Sequence, residues 1–174
     1  MTPALVLVGL PASGKTTAGR RTALQLGLPF ADSDALVEQE AGSTVSDIFA
    51  ASGEAAFRRL EEDVIGVALT SFSGVLALGG GAVLSAATRA ALRASGAPVV
   101  YLVTTPAQAL RYVRGGRGRP LLHGDPAARL TQLAAERGPL YEQVATTRVT
   151  TAGRPLRDVV DELVGIATKS QEAP

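Results

Sequence analysis

Residues 9–16 read Gly9-Leu10-Pro11-Ala12-Ser13-Gly14-Lys15-Thr16. The spacing G-x-x-x-x-G-K-[ST] wraps backbone N–H groups around phosphate oxygens, sets a lysine on the terminal phosphates and offers a hydroxyl to Mg2+. The chemistry this specifies is capture of a nucleotide by its phosphates. A helix starting near Lys15 would add its positive N-terminal end to the same site. A glycine-rich turn with a chance lysine is the plain alternative. The apolar run 4–8 before the loop and the helix-compatible segment after it favour the phosphate loop.

Asp32-Ser33-Asp34 forms a second candidate group. In an extended segment both carboxylates face one side at a strand's C-terminal end, where parallel α/β folds keep their ligands. One acid could then serve a magnesium shell through water while the other accepts from a hydroxyl awaiting phosphorylation, as base or as orienting group. The competing reading makes Asp34 only the N-cap of a helix over 35–41.

The stretch 42–61 predicts helix, glycine break at Gly53, then helix. Phe57, Leu60, Val64 and Val67 or Ala68 form the packing face, and Arg58 and Glu61 lie on the other. An i,i+3 ion pair there either fixes a guanidinium as a clamp for a small carboxylate or phosphate, or is an ordinary solvated pair contributing little. Taken alone, the solvated pair is the commoner outcome. Gly79-Gly80-Gly81 ends another apolar run, and three glycines cost backbone entropy unless the backbone must approach something closely. Arg111, Arg114, Arg117 and Arg119 are interleaved with glycines and predict a mobile lid over about 112–126, able to close on a triphosphate. A nucleic-acid loop is disfavoured by the near absence of aromatics around it. His123, the single histidine, reads as an exposed lid residue without partners for a metal site.

These groups need a frame to hold them. Apolar runs at 4–8, 30–31, 75–78, 98–103 and 148–150 alternate with helix-compatible segments, which predicts an α/β fold with a parallel sheet and 4–8 as its central strand. Helices are expected over 16–26, 35–41 and 86–94, and from Pro106. A further helix over 127–144 should break or restart at Pro139, and the last should open at Arg154-Pro155. At 174 residues the chain makes one domain, taken as 1–168 with its substrate-binding helical region at about 33–62 and a frayed tail at 169–174. A net charge of +1 and only 4% aromatic residues argue against nucleic acid and membrane surfaces as partners. The absence of cysteine removes disulfides and thiolate chemistry, and the expected setting is soluble and cytoplasmic.

Together the P-loop, Asp32-Ser33-Asp34, the block Asp47-Ile48-Phe49 … Gly53-Glu54 … Phe57-Arg58 … Glu61, Gly79-Gly80-Gly81, Arg119-Pro120-Leu121-Leu122 and Arg137 … Pro139-Leu140-Tyr141 resemble the shikimate kinase family in order and approximate spacing. The resemblance covers nearly the whole chain. It implies a three-layer P-loop kinase fold like that of nucleoside monophosphate kinases, with a five-stranded parallel sheet and a mobile lid. The implied reaction is ATP-dependent phosphorylation of the 3-hydroxyl of shikimate, in the route to chorismate and aromatic amino acids, with Mg2+ as cofactor and a monomeric enzyme. Carried over, Asp34, Arg58, Gly79, Gly80, Gly81 and Arg137 would hold shikimate. Lys15 and Arg119 would stabilise the transferring group, Asp34 would be the candidate base, and Thr16 and Asp32 would serve the metal. Gly9, Ala12, Ser13, Gly14, Lys15, Thr16 and Thr17 would hold ATP, with Arg119, Tyr112, Arg154 and Pro155 around the nucleotide.

Three departures from the family pattern stand out. Ala12 replaces a usual glycine, Tyr112 stands where an arginine covers the adenine so that Tyr112 or Arg111 must serve instead, and the segment 152–155 is short. Another small-metabolite kinase such as a gluconate kinase would share the P-loop and lid but not the Asp-x-Asp and Phe57-Arg58 block together. A non-catalytic nucleotide-binding protein is the reading from a different class.

Overall fold

The computed structural model describes residues 1–114 and 125–172. Most of the expected lid, with Arg117, Arg119 and His123, lies outside the described residues.

Five parallel strands run β1 (Leu5–Val8), β2 (Phe30–Asp32), β3 (Val75–Ala77), β4 (Val99–Val103) and β5 (Thr147–Thr150). They lie in the order β2-β3-β1-β4-β5, so β1 is central. Val6 is in register with Leu76 on one side and Val99 on the other. All four residues of β1 are buried, because both faces of the sheet are covered and a strand with two covered faces needs apolar side chains throughout.

Alternation along the strands divides the core in two. Val6, Val8, Leu76, Leu78 and Tyr101 join Ile65, Leu69, Leu130, Leu133 and Tyr141 on one face. Leu5, Leu7, Val75, Val100 and Leu102 join Ala18, Val159 and Leu163 on the other. The second face is thus covered by α1 (Lys15–Leu26) and α7 (Leu156–Glu172), and the first chiefly by α3 (Val45–Ser71), α4 (Ala86–Ala94) and α6 (Pro126–Val144). Helices α2 (Ser33–Ala41) and α5 (Pro106–Arg114) complete the set, giving three layers of helix, sheet and helix. Among the described residues no helix is long and apolar enough to cross a membrane.

Local departures from sequence expectation have physical reasons. Gly53 breaks α3 as expected, with φ 77° and ψ 174° inside an otherwise continuous run. Pro139 does not break α6; Leu133, Arg137, Tyr141 and Val144 keep one buried face through it, and that packing outweighs one lost backbone hydrogen bond. Residues 111–114 finish α5 instead of opening the lid. The last helix runs to Glu172, past the expected fraying at 169, with Lys169 favourably placed against the negative end of the helix dipole. On α3, Val67 is 65% exposed while Ala68 is buried, which fixes the packing face left open between them.

Candidate functional site

The P-loop joins β1 to α1, so its phosphate-facing backbone sits at the C-terminal edge of the central strand. Gly9 (φ 149°) and Gly14 (φ 92°) take conformations open to glycine, and a Cβ at Gly9 would press on the Leu102 carbonyl at 2.7 Å. Ala12 also lies at positive φ, 61°. Lys15 is 8% exposed and its Nζ donates to the Gly9 and Leu10 carbonyls at 2.8 and 2.7 Å, holding the loop closed around its own terminus. Thr17 faces solvent at the first turn of α1.

Thr16 Oγ1 donates to Asp32 Oδ2 at 2.8 Å. The same carboxylate uses Oδ1 to accept from the Asp34 amide at 3.1 Å, so Asp32, and not Asp34, is the N-cap of α2. This corrects the expectation that both acids extend from a strand: the chain turns helical at Ser33, and Asp34 sits in the first helical turn, where its charge suits the helix dipole. The two acids are separated in role by this turn, Asp32 facing the P-loop and Asp34 facing β3's loop. Ser33, fully buried between them, accepts from the Gly79 amide at 2.8 Å and ties α2 to that loop.

None of the three loop glycines needs a positive φ; each is small because something lies against it. A Cβ at Gly79 would come within 2.7 Å of both Asp34 Oδ1 and Glu61 Oε1, one at Gly80 within 2.8 Å of Pro11 Cδ, and one at Gly81 would collide with the Arg58 guanidinium. The loop therefore joins the P-loop, the acids and the arginine in one place. The protein's own side chains are enough to require the close approach that the three glycines imply.

Arg58 Nη1 donates to Glu61 Oε2 at 2.6 Å, and Nη2 reaches Glu54 at 3.3 Å. Glu61 is 2% exposed, so the pair is not the solvated surface bridge that its spacing favours. Burial pushes the Glu61 carboxyl above its ordinary value, against the pull of Arg58. Arg137 comes from α6 and is 3% exposed. Burial lowers its pKa, Tyr141 opposes that shift, and the neighbouring Arg58 charge adds to it. Arg58 Nε, Arg137 Nε and Arg137 Nη1 are buried without hydrogen-bond partners among the described residues. Two guanidiniums held together with unsatisfied donors are suited to receive a carboxylate, since an anion would supply both the missing acceptors and the missing charge.

On the other side of the P-loop a small cavity is lined by Ser13, Gly14, Tyr112, Thr151, Arg154 and Leu156. Tyr112 reaches it from α5 and is 61% exposed. Arg154 is tethered to Glu162 Oε2 at 2.7 Å and to the Thr150 carbonyl at 3.1 Å. Arg111 and Pro155 do not line this cavity. Sequence reasoning missed Pro11 as the neighbour of Gly80, and it missed Ser33 although that serine sits between the two noted acids.

A phosphate loop at the end of the central strand, with Asp32 on the Thr16 hydroxyl, on a five-stranded parallel sheet flanked by helices, is the P-loop kinase fold. The comparisons narrow the class. A family model described as shikimate kinase matches residues 11–167, and the chain belongs to that family. It is 47% identical over 165 residues to the shikimate kinase of Rhodococcus jostii, covering 94% of this chain and 97% of that one. It is 52% identical over 155 residues to that of Mycobacterium bovis, covering 88% and 87%. Among solved structures, shikimate kinase from Acinetobacter baumannii in complex with shikimate superposes with a TM-score of 0.90 at 34% identity, over 99% of this chain and 96% of that one. A gluconokinase from Sinorhizobium meliloti, at 22% identity and a TM-score of 0.59, shares the fold alone.

Proposed function

We propose that this chain transfers the γ-phosphoryl group of ATP to the 3-hydroxyl of shikimate, giving shikimate 3-phosphate and ADP. The observation that carries the reading is the set of buried donors on Arg58 and Arg137, unpartnered among the described residues, opposite the P-loop: shikimate offers one carboxylate and three ring hydroxyls, and this pair sets the carboxylate so that the ring extends toward Asp34. Asp34 then accepts from the hydroxyl to be phosphorylated. Phosphoryl transfer through a loose transition state requires little early proton removal, so orientation is the larger part of that work and a base role the smaller.

On the donor side, Ser13, Gly14, Lys15, Thr16 and Thr17 would meet the phosphates, and Lys15 would exchange its contacts with the Gly9 and Leu10 carbonyls for the terminal phosphates. Arg119, outside the described residues, is assigned from the family pattern to the same transferring charge. Thr16 and Asp32 form an oxygen-only pair of the kind Mg2+ takes, Thr16 as direct ligand and Asp32 through water. When bound, the ion neutralises charge on the phosphates. The adenine would lie on the Tyr112–Arg154 cavity, where a phenol ring can stack in place of the family's arginine. Arg111 and Pro155 do not line it. We place the enzyme in the cytoplasm as a monomer, with no nucleic-acid or membrane partner.

ADP release from ATP-Mg2+ with shikimate, quinate, gluconate or no acceptor tests the reading. Turnover should require shikimate; equal rates without it, or preference for gluconate, would overturn the assignment.

A further inference from the structure

The segment Pro139-Leu140-Tyr141 contributes to the family pattern, yet none of it has a part in the chemistry above. Tyr141 is fully buried, and its hydroxyl donates to the Gly80 carbonyl at 2.6 Å, across 61 residues of chain. Its ring lies against Tyr101, with centroids 5.1 Å apart. Burial pushes the phenol well above its ordinary value, and the Arg137 charge beside it is the largest opposing influence, so the group stays a hydrogen-bond donor throughout the working pH range. Tyr141 follows Arg137 by one helical turn on α6, and the two side chains interact directly.

We infer that Tyr141 is a positioning residue for the acceptor: its hydroxyl fixes the Gly80–Gly81 peptide plane and so aims the Gly81 amide into the arginine receptor. The geometry follows from the peptide itself. No peptide bond among the described residues is cis, and in a trans peptide the C=O and N–H of one plane point in opposite directions. Drawing the Gly80 carbonyl onto the Tyr141 hydroxyl therefore turns the Gly81 N–H to the opposite side of that peptide, away from Tyr141, on the residue whose Cα lies against the Arg58 guanidinium. Glycine backbone has little preference of its own there, so an external constraint is needed to hold a single orientation. Tyr141 supplies it from the same helix that carries Arg137. One side chain thereby keeps in register the two elements that would grip the substrate carboxylate. Pro11 of the P-loop meets Gly80 through its ring, so the nucleotide side should sense the change weakly.

This inference rests on the shikimate reading, and the test separates the two. In Tyr141→Phe, which keeps the ring and the packing on Tyr101, KM for shikimate should rise about tenfold, in line with one lost hydrogen bond to a buried group, while KM for ATP stays within about twofold. Amide exchange at Gly81 should accelerate more than at the β3 amides. An unchanged KM for shikimate, or equal rises for both substrates, overturns the positioning role. Failure of the unaltered enzyme to use shikimate would instead sink the underlying reading. Should the phenylalanine variant be too unstable to assay, 4-fluorophenylalanine at 141 keeps the ring and fills the place of the hydroxyl but donates nothing to the Gly80 carbonyl. KM for shikimate should then rise about tenfold with KM for ATP within about twofold, and an unchanged KM for shikimate would reject the proposal.

Discussion

Arg58 and Glu61 stand one turn apart on α3, joined at 2.6 Å, with the carboxylate almost wholly buried and its second oxygen, Oε1, left without a hydrogen-bond partner among the described residues. The acid therefore carries a desolvation cost that its arginine only partly offsets. Because burial raises the folded-state pKa above 4.5, the folded protein binds this proton more tightly than the unfolded chain. The contribution is favourable below pH 4.5 and is lost as pH rises through the folded value. Glu61→Gln removes that slope. Denaturant midpoints across a pH series should show the variant gaining on the unaltered enzyme as pH rises; a constant difference would refute the linkage.

Removing either half of the proposed carboxylate receptor should act on one substrate. Arg58→Ala and Arg137→Ala are each expected to raise KM for shikimate about 10- to 100-fold, the range of a charge-assisted hydrogen bond, and to leave ATP binding largely intact. Arg58→Lys should recover little, because an ammonium lacks the fork needed to serve Glu61, Glu54 and a ligand together. Equal losses for ATP and shikimate would reject the assignment.

Gly79→Ala isolates close approach from backbone freedom, since Gly79 has no positive φ to lose. Its new methyl would force apart Asp34 Oδ1 and Glu61 Oε1, each 2.7 Å from the Cβ position. Turnover with shikimate should fall and the melting temperature should drop. Gly66→Ala on α3 is the control, with nothing within 4 Å of its Cβ position. There the substitution should stabilise by about 0.5–1 kcal/mol, the ordinary helical gain of alanine over glycine. If both variants behave alike, steric crowding is not what Gly79 is for.

The frame and the donor half were legible because both depend on short-range signals. Continuous apolar runs marked strands covered on two faces, and the P-loop spacing carries its own geometry. What escaped depends on contacts distant in sequence. Glu61 reads as solvated from its i,i+3 spacing, and elements distant in sequence, the loop at Gly79 among them, bury it. Asp32 and Asp34 look equivalent in an extended segment, until the chain turns helical at Ser33 and Asp32 becomes the cap. Pro139 reads as a break, but the packing that carries the helix through it comes from strands and helices elsewhere. Arg137 was reached through family resemblance alone, since nothing adjacent in the chain marks it as facing Arg58.

Ala12 offers a test of what holds the P-loop in shape. At φ 61° it is the one non-glycine residue with positive φ among the described residues, a conformation that costs an L-residue about 1–2 kcal/mol. Glycine would remove that cost but return conformational freedom to the unfolded chain, worth about 0.4–1 kcal/mol. The strain relieved is at least as large as the freedom returned, so Ala12→Gly should change stability by between about 0 and about 1.6 kcal/mol in the stabilising direction. The loop's shape has an independent tether, the Lys15 ammonium on the Gly9 and Leu10 carbonyls. KM for ATP should therefore change by less than about twofold in Ala12→Gly, a shift of under 0.5 kcal/mol on the usual conversion. Ala12→Val makes the opposite demand, because a β-branched side chain at positive φ is a true outlier. It should destabilise the protein and raise KM for ATP together. Urea midpoints and ATP titrations on the two variants decide the matter: a loss of stability in the glycine variant would mean that the Ala12 methyl contributes packing that outweighs its backbone strain.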